Sequence, residues 1–449
     1  MDNNKAETRT PAVHREVQLQ RAVMAYIVTG IVFMLLPGTF LGVWNLISIS
    51  NRHQLDTLSP AWLQAHGHAQ IYGWIGTFII GIGFYSLSKM GQLPPFAVRR
   101  AWTAYGLWAA GVTLRWGANV TGWHWRIALP VSAALELAGF LTFFATVSRH
   151  KANPGAPRKP KEPWMLVVIA GTCGFLFALL MNVFTTCQAA WLGVTPAVPH
   201  ALDQRMLVIP VWVFLVPTVW GFNARWLPVF VGLQGANGKQ LLAATGLGWL
   251  GVLLALSGYS LVAAVLFLIA AAVATFALRI FHRPVKAAKT TGVHGSFPWF
   301  VRFAYLWLGV AGVLTVWAAA ADHAGGIWGA SRHSVTVGFL GVMVFAIGQR
   351  ILPAFCGARV LFSKRAMLAS LVLLNVGCAL RVSSEIPAYE GFLYAQLFWR
   401  ILPISAVTEL TAVSVFAANL LVTFCRPPAH LSVEAPRPAP GVFASVIAR

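Results

Sequence analysis

The sequence predicts an all-α, polytopic membrane protein of about twelve transmembrane helices in three pseudo-repeated groups of four. Three observations carry that expectation. Of 449 residues, 58% are hydrophobic and only 10% charged, a balance that belongs to membrane proteins. Apolar runs recur along the chain at spanning length, which is roughly 20 residues for a hydrocarbon core about 30 Å thick. Lysine and arginine gather in alternate links between those runs.

In order, the runs cover 22–50, 64–88, 101–118, 127–148, 164–187, 203–224, 240–258, 260–281, 299–321, 332–352, 366–381 and 392–424. Each is bounded by charged residues or by Pro/Gly breaks. The shortest link, between the seventh and eighth, rests on Gly258. With the N-terminus placed inside, 26 Lys and Arg fall in inner segments and seven outside: Arg52, Arg115, Arg126, Arg205, Arg332, Arg381 and Arg400. That alternation follows the positive-inside rule, and one helix more or fewer in mid-chain would scramble it.

Residues 1–20 are then a cytoplasmic N-terminal segment, 21–425 the twelve-helix domain, and 426–449 a Pro-rich, disordered cytoplasmic tail. The first apolar run is too long for a signal-peptide core and reads as an uncleaved helix. The expected location is a bacterial inner membrane, with lipid as the surrounding partner. The net charge of +21 lies almost wholly in short links, so no nucleic-acid partner is expected. The five cysteines form no CxxC and read as small buried hydrophobes.

His66, His200 and His333 recur at nearly equal intervals, each near the start of an apolar segment at the outer face. Ionisable residues at a membrane edge are costly and usually functional, and imidazole is a common ligand of iron and copper. Three at one level suggest a buried metal or haem site. His66 and His68 stand two residues apart, so a regular helix turns them to nearly opposite faces. One of them would ligate with His333, and the spacing does not say which. Gly67, Gly73, Gly76, Gly81 and Gly83, with Gly338 and Gly341, could leave a thin slot, or could simply let helices pack closely. The remaining outer histidines are His53, His124 and His323, while His14, His150, His282, His294 and His430 sit in inner links or tails. Glu136 and Glu409 are isolated carboxyls within spans. GFNARWLPVFVG (221–232) echoes AIGQRILPAFCG (346–357), a faint internal repeat.

Twelve helices in groups of four, with outer histidines on the second, sixth and tenth, resemble subunit I of the haem-copper oxidases. The local strings are more similar to the NnrS family, haem- and copper-containing membrane proteins linked to nitric oxide. HGHAQIYGWIGTFIIGIGF (66–84) resembles that family's H-x-H entry to an aromatic, Gly-rich helix. FNARWLPVF (222–230) is similar to its Arg-x-x-Pro-aromatic segment, and RHSVTVGFLGVMVFAIGQR (332–350) to its His-x-x-x-x-Gly helix ending in Arg. The resemblance implies one bis-histidine haem on His68 and His333, with His66 as the other candidate ligand. Arg332, Arg381, Arg126 and Arg400 are candidate propionate partners beside Trp123 and Trp125, and copper at His200 is a further candidate. Nitric oxide or a redox protein would be the partner.

The departures matter as well. Oxidase subunits carry a His-His pair on helix 7, and 240–258 has no histidine. They carry two histidines on helix 10, where this chain has only His333, and Gln204 stands where a tyrosine often follows the helix 6 histidine. A copper–haem oxygen-reducing centre therefore lacks its ligands. The leading expectation is a haem protein of the nitric oxide response. The alternatives are an electron-transferring oxidase or nitric oxide reductase-like subunit, and a twelve-helix secondary transporter.

Overall fold

A computed structural model describes residues 3–53, 58–90, 96–149, 162–357 and 359–427, the side chains of 3–13 and of Met90 excepted. Among these the chain is helical, with no strand. The expected tail from 428 onward, and with it His150 and His430, lies outside the described residues.

Eleven helices are long and apolar enough to cross a membrane. They are α1 (His14–Arg52), α2 (Pro60–Lys89), α4 (Trp125–Arg149), α5 (Pro163–Leu192), α6 (His200–Phe230) and α7 (Gly238–Leu256). After them come α8 (Ser260–Ala277), α9 (Phe297–Ala321), α10 (Gly326–Phe355), α11 (Lys364–Tyr389) and α12 (Ala395–Cys425). One more long helix, α3 (Val98–Thr121), falls outside that set, and Arg115 and Asn119 are among its buried residues. The helix of α1 begins already at Asn3, so the polar segment before the first apolar run is continuous with it.

Burial sorts the helices. Within the most apolar 18-residue stretch, 83% of α2 and 78% of both α6 and α10 are buried, against 33–50% in the other candidate spans. These three form the middle of the bundle. Around them α3 packs along α4, α7 along α8 and α11 along α12, while α12 closes the ring against α1. That accords with three groups of four, each contributing its second helix to the centre. Stacked aromatics weld the layers: Phe175 on Phe214 at 3.8 Å, Phe345 on Phe416 at 3.9 Å and Trp212 on Phe267 at 4.5 Å.

Each central helix carries a π-helical stretch: Ala69–Gly76 in α2, Pro210–Leu215 in α6 and Ser334–Gly341 in α10. α1 has a fourth at Met34–Phe40, around Pro37, which lacks the N–H a regular ladder needs. Such wide turns often mark functional sites. In α2 the Thr77 hydroxyl donates to the Gly73 carbonyl at 2.6 Å and accepts from Trp108 Nε1 at 2.9 Å, tying the wide turn to α3.

Three sequence expectations change. Cys173, Cys187 and Cys425 are exposed rather than buried, and only Cys356 and Cys378 are inside. The α11 helix runs on to Tyr389, well past residue 381. The glycines proposed to line a slot mostly seat side chains: a Cβ on Gly73 would meet Phe33 at 3.1 Å, on Gly76 Trp108 at 3.0 Å, and on Gly338 Trp307 at 2.5 Å.

Candidate histidine centre

The helices α2 and α10 begin earlier than their apolar runs, at Pro60 and Gly326. His66, His68 and His333 therefore sit about two turns inside their helices. His200 is the first residue of α6 and is exposed. His333 precedes Arg350 by as many residues as Val208 precedes Arg225, and the π stretches of α6 and α10 keep that register. Equal spacing along the chain thus does not make His200 the structural counterpart of His333.

The α2 histidines diverge. His68 is 8% exposed and turns toward α4, its Nε2 lying 3.2 Å from Oε2 of Glu136. Asn182 of α5 donates to the same oxygen at 3.0 Å, and Tyr72 stacks on the imidazole at 4.7 Å. His66 turns toward α1, where its Nδ1 is 2.8 Å from the Gly38 carbonyl. Its ring also lies in electrostatic range of His333 and Arg381.

In α10 the His333 Nδ1 is 2.9 Å from the Gly329 carbonyl and 3.3 Å from Oε2 of Glu385. A carbonyl can only accept, so in both His66 and His333 Nδ1 carries the proton. Neutral rings then leave a lone pair on Nε2. Among the described residues neither Nε2 has a hydrogen-bond partner.

The arginines differ in availability. Arg381 grips Glu385 with Nε at 3.1 Å and Nη2 at 3.0 Å. Arg332 lies in the field of Asp203, Glu385 and Asp322. Arg126 is exposed and donates to the Ala190 and Gly193 carbonyls at the end of α5, with Trp125 beneath it at 4.7 Å. It fastens a helix end. Arg400 is exposed. Among the described residues no three His, Cys, Asp or Glu side chains converge as a metal cage.

Glu385 and Asn182 escaped the sequence reading, and Arg115 was read only as an outer charge, yet a repeat was there to find. Gly111-x-x-Leu114-Arg115 of α3 recurs as Gly377-x-x-Leu380-Arg381 of α11. Leu129-Pro130-Val131-Ser132-Ala133-x-x-Glu136-Leu137 of α4 recurs as Leu402-Pro403-Ile404-Ser405-Ala406-x-x-Glu409-Leu410 of α12. His68 and His333 each directly precede a π stretch and lead the same spacing to Gly73 and Gly76, or Gly338 and Gly341. The packing repeats too: a Cβ on Gly111 would meet Glu136 Cγ at 2.8 Å, and one on Gly377 would meet Glu409 Cγ at 2.6 Å.

Residues 22–427, nearly the whole chain, match the family described as NnrS protein. No curated protein matches the chain.

Proposed function

The chain belongs to the NnrS family, and on that premise we propose that it is a haem-binding, multi-pass membrane protein of the nitric oxide response. The supporting observation is the pair His66 and His333. Both rings are oriented through Nδ1 by a backbone carbonyl, both leave Nε2 free, and they share one electrostatic neighbourhood across the middle of the bundle. Metal-ligating histidines commonly donate their second ring N–H to a carbonyl or carboxylate, which fixes the tautomer and raises ligand basicity. His66 and His333 would hold a haem iron through these Nε2 atoms.

In this reading His66, rather than His68, is the partner of His333. His68 is held in a separate contact with Glu136 and Asn182. Glu385 orients His333 and neutralises Arg381, so the His333 imidazole is a stronger donor than a free one. A haem so bound would supply a redox-active iron for electron exchange, or for a small diatomic ligand that displaces one of the two imidazoles. Arg332 and Arg381 would face its anionic propionates. By the distribution of Lys and Arg, this end of the bundle faces the periplasm, with both termini in the cytoplasm of a bacterial inner membrane.

Purification and an absorption spectrum test the reading. The expected result is a low-spin haem spectrum that His66→Ala and His333→Ala abolish and His68→Ala keeps, with a shift on adding nitric oxide. A colourless protein, or a spectrum lost in His68→Ala but kept in His66→Ala, would overturn it.

A further inference from the structure

Where α7 begins and α8 ends, on the side that the Lys and Arg distribution assigns to the cytoplasm, there is a recess of about 160 Å³. Asn237, Gln240, Phe276, Arg279 and His282 line it. Lys239, Arg283, Lys286 and Lys289 follow in the same inner links, and the sequence has no acidic residue between Asp203 and Asp322. The positive-inside rule accounts for cations there, but not for the way they are held.

The link after α8 is pinned rather than loose. Val285 and Lys286 donate backbone N–H groups to the Gly232 carbonyl at 2.9 and 3.2 Å, and Lys289 donates to that of Phe230 at 2.9 Å. Asn237 N–H closes the start of α7 onto the Ala277 carbonyl at 2.8 Å. Arg279 stands just past the C-cap Leu278 with φ 57°, a left-handed position that ordinarily takes glycine because a Cβ is disfavoured there. A guanidinium is thus kept at a backbone position that favours having no side chain at all.

The donors of the recess are unspent. Arg279 gives Nη1 to the Gln234 side chain, and its other N–H groups have no partner among the described residues. The Gln240 amide and the His282 ring likewise make no side-chain hydrogen bond among them, although His282 stands edge-on to Phe276 at 5.9 Å. Glu162, whose neighbour Pro163 packs on Gly238, is taken up by Trp164 Nε1 at 2.7 Å and faces Arg225. One wall of the recess, Phe276, is 62% exposed, so the donors stand beside apolar surface.

We infer that this recess is a headgroup site for an anionic phospholipid of the cytoplasmic leaflet. Arg279 would receive the phosphodiester, with Gln240 and Asn237 as neutral donors and an acyl chain along Phe276. Basic pockets between transmembrane helices on this side suit such headgroups. Free phosphate offers the same anionic oxygens but nothing that Phe276 could hold. The site shares no residue with the histidine centre and does not depend on haem.

The test uses the full chain in non-ionic detergent and follows thermal unfolding as phosphatidylglycerol, phosphatidylcholine or inorganic phosphate is added. Phosphatidylglycerol should raise the midpoint and saturate, and the other two should not. Arg279→Gly suits the left-handed backbone and should lose more than half of that rise. Lys289→Gln, which removes a cation outside the recess, should keep it. Arg279→Gly responding as the natural protein does, or both variants losing the rise equally, overturns the site. An equal response to inorganic phosphate overturns the lipid assignment. Should Arg279→Gly fail to fold, a photoreactive phosphatidylglycerol on the natural protein decides: labelling at 276–282 supports the inference, and labelling only elsewhere refutes it.

Discussion

His68 hands its Nε2 to the carboxyl of Glu136 across 3.2 Å, joining the central helix α2 to the peripheral helix α4 in the fully buried interior. The contact is expected to matter for stability. Glu136→Ala would leave the His68 and Asn182 donors unmatched and open a hole beside Gly111. Breaking a buried, hydrogen-bonded charged contact by removing one partner typically costs about 3–5 kcal/mol. Glu136→Gln keeps the shape and an acceptor oxygen and should cost less than half as much. Reversible unfolding of the two variants in detergent checks the order, and equal losses would mean that the carboxylate contributes through its charge rather than its shape.

The matched hairpins make a second prediction. Gly111→Ala would drive a methyl to within 2.8 Å of the Ser132 carbonyl, and Gly377→Ala to 3.3 Å of the Ser405 carbonyl. Backbone cannot step aside as a side chain can, so both should destabilise, by about 1–3 kcal/mol as for other overpacked interiors, and Gly111→Ala more. Gly106 on the same helix faces open space. Gly106→Ala should instead stabilise by up to about 1 kcal/mol through helix propensity. Thermal midpoints of the three variants test the ranking.

How much of this was legible in the sequence varies with the physical signal. Hydropathy and charge alternation located the helices, including α3, which buries Arg115 and Asn119. The i, i+2 spacing of His66 and His68 required them to diverge, and they do, toward Gly38 on α1 and Glu136 on α4. Which neighbour each would meet depends on tertiary packing and on wide π turns, neither of which has a local periodicity. Glu385 stands four residues after Arg381, a spacing that pairs side chains on a helix. It was passed over because the eleventh span was expected to stop at the arginine. The α4–α12 repeat was obscured by one residue, since Trp125-Arg126-Ile127 stands one position further from its Leu-Pro than Trp399-Arg400-Ile401 does.

At the mouth of the bundle Glu390 follows α11 and shares a hydrogen bond with Asp322, the residue after α9. Burial first, and then the Asp322 carboxylate, raise the Glu390 carboxyl above its ordinary 4.5. A group whose folded value is raised favours the fold while protonated. Its contribution is complete below the unfolded value and disappears as pH climbs through the raised one. Glu390→Gln should therefore leave stability unchanged in acid and raise it at neutral pH, where two carboxylates otherwise face each other. The midpoint difference between variant and natural protein, followed from pH 4 upward, should grow from zero. A difference constant with pH would contradict the shared proton.

The two rings proposed as ligands can be disturbed without touching either histidine. Gly42 of α1 lies flat against His66, and a Cβ there would come within 2.5 Å of Cε1 and 2.7 Å of Nδ1. Gly42→Ala must therefore rotate the imidazole off the Gly38 carbonyl. Gly329 of α10 stands against the Glu385 carboxylate, so Gly329→Ala should push that carboxylate away from His333 and Arg381. Gly67, between the two α2 histidines, meets nothing within 4 Å and provides the control. If His66 and His333 hold a haem, Gly42→Ala and Gly329→Ala should each lower its occupancy or broaden its low-spin bands, and Gly67→Ala should do neither. If His68 is the ligand instead, Gly42→Ala should leave the spectrum intact, because His68 faces Glu136 on the other side of α2. The choice between neighbouring imidazoles thus reduces to whether a methyl group on α1 changes the colour of the protein.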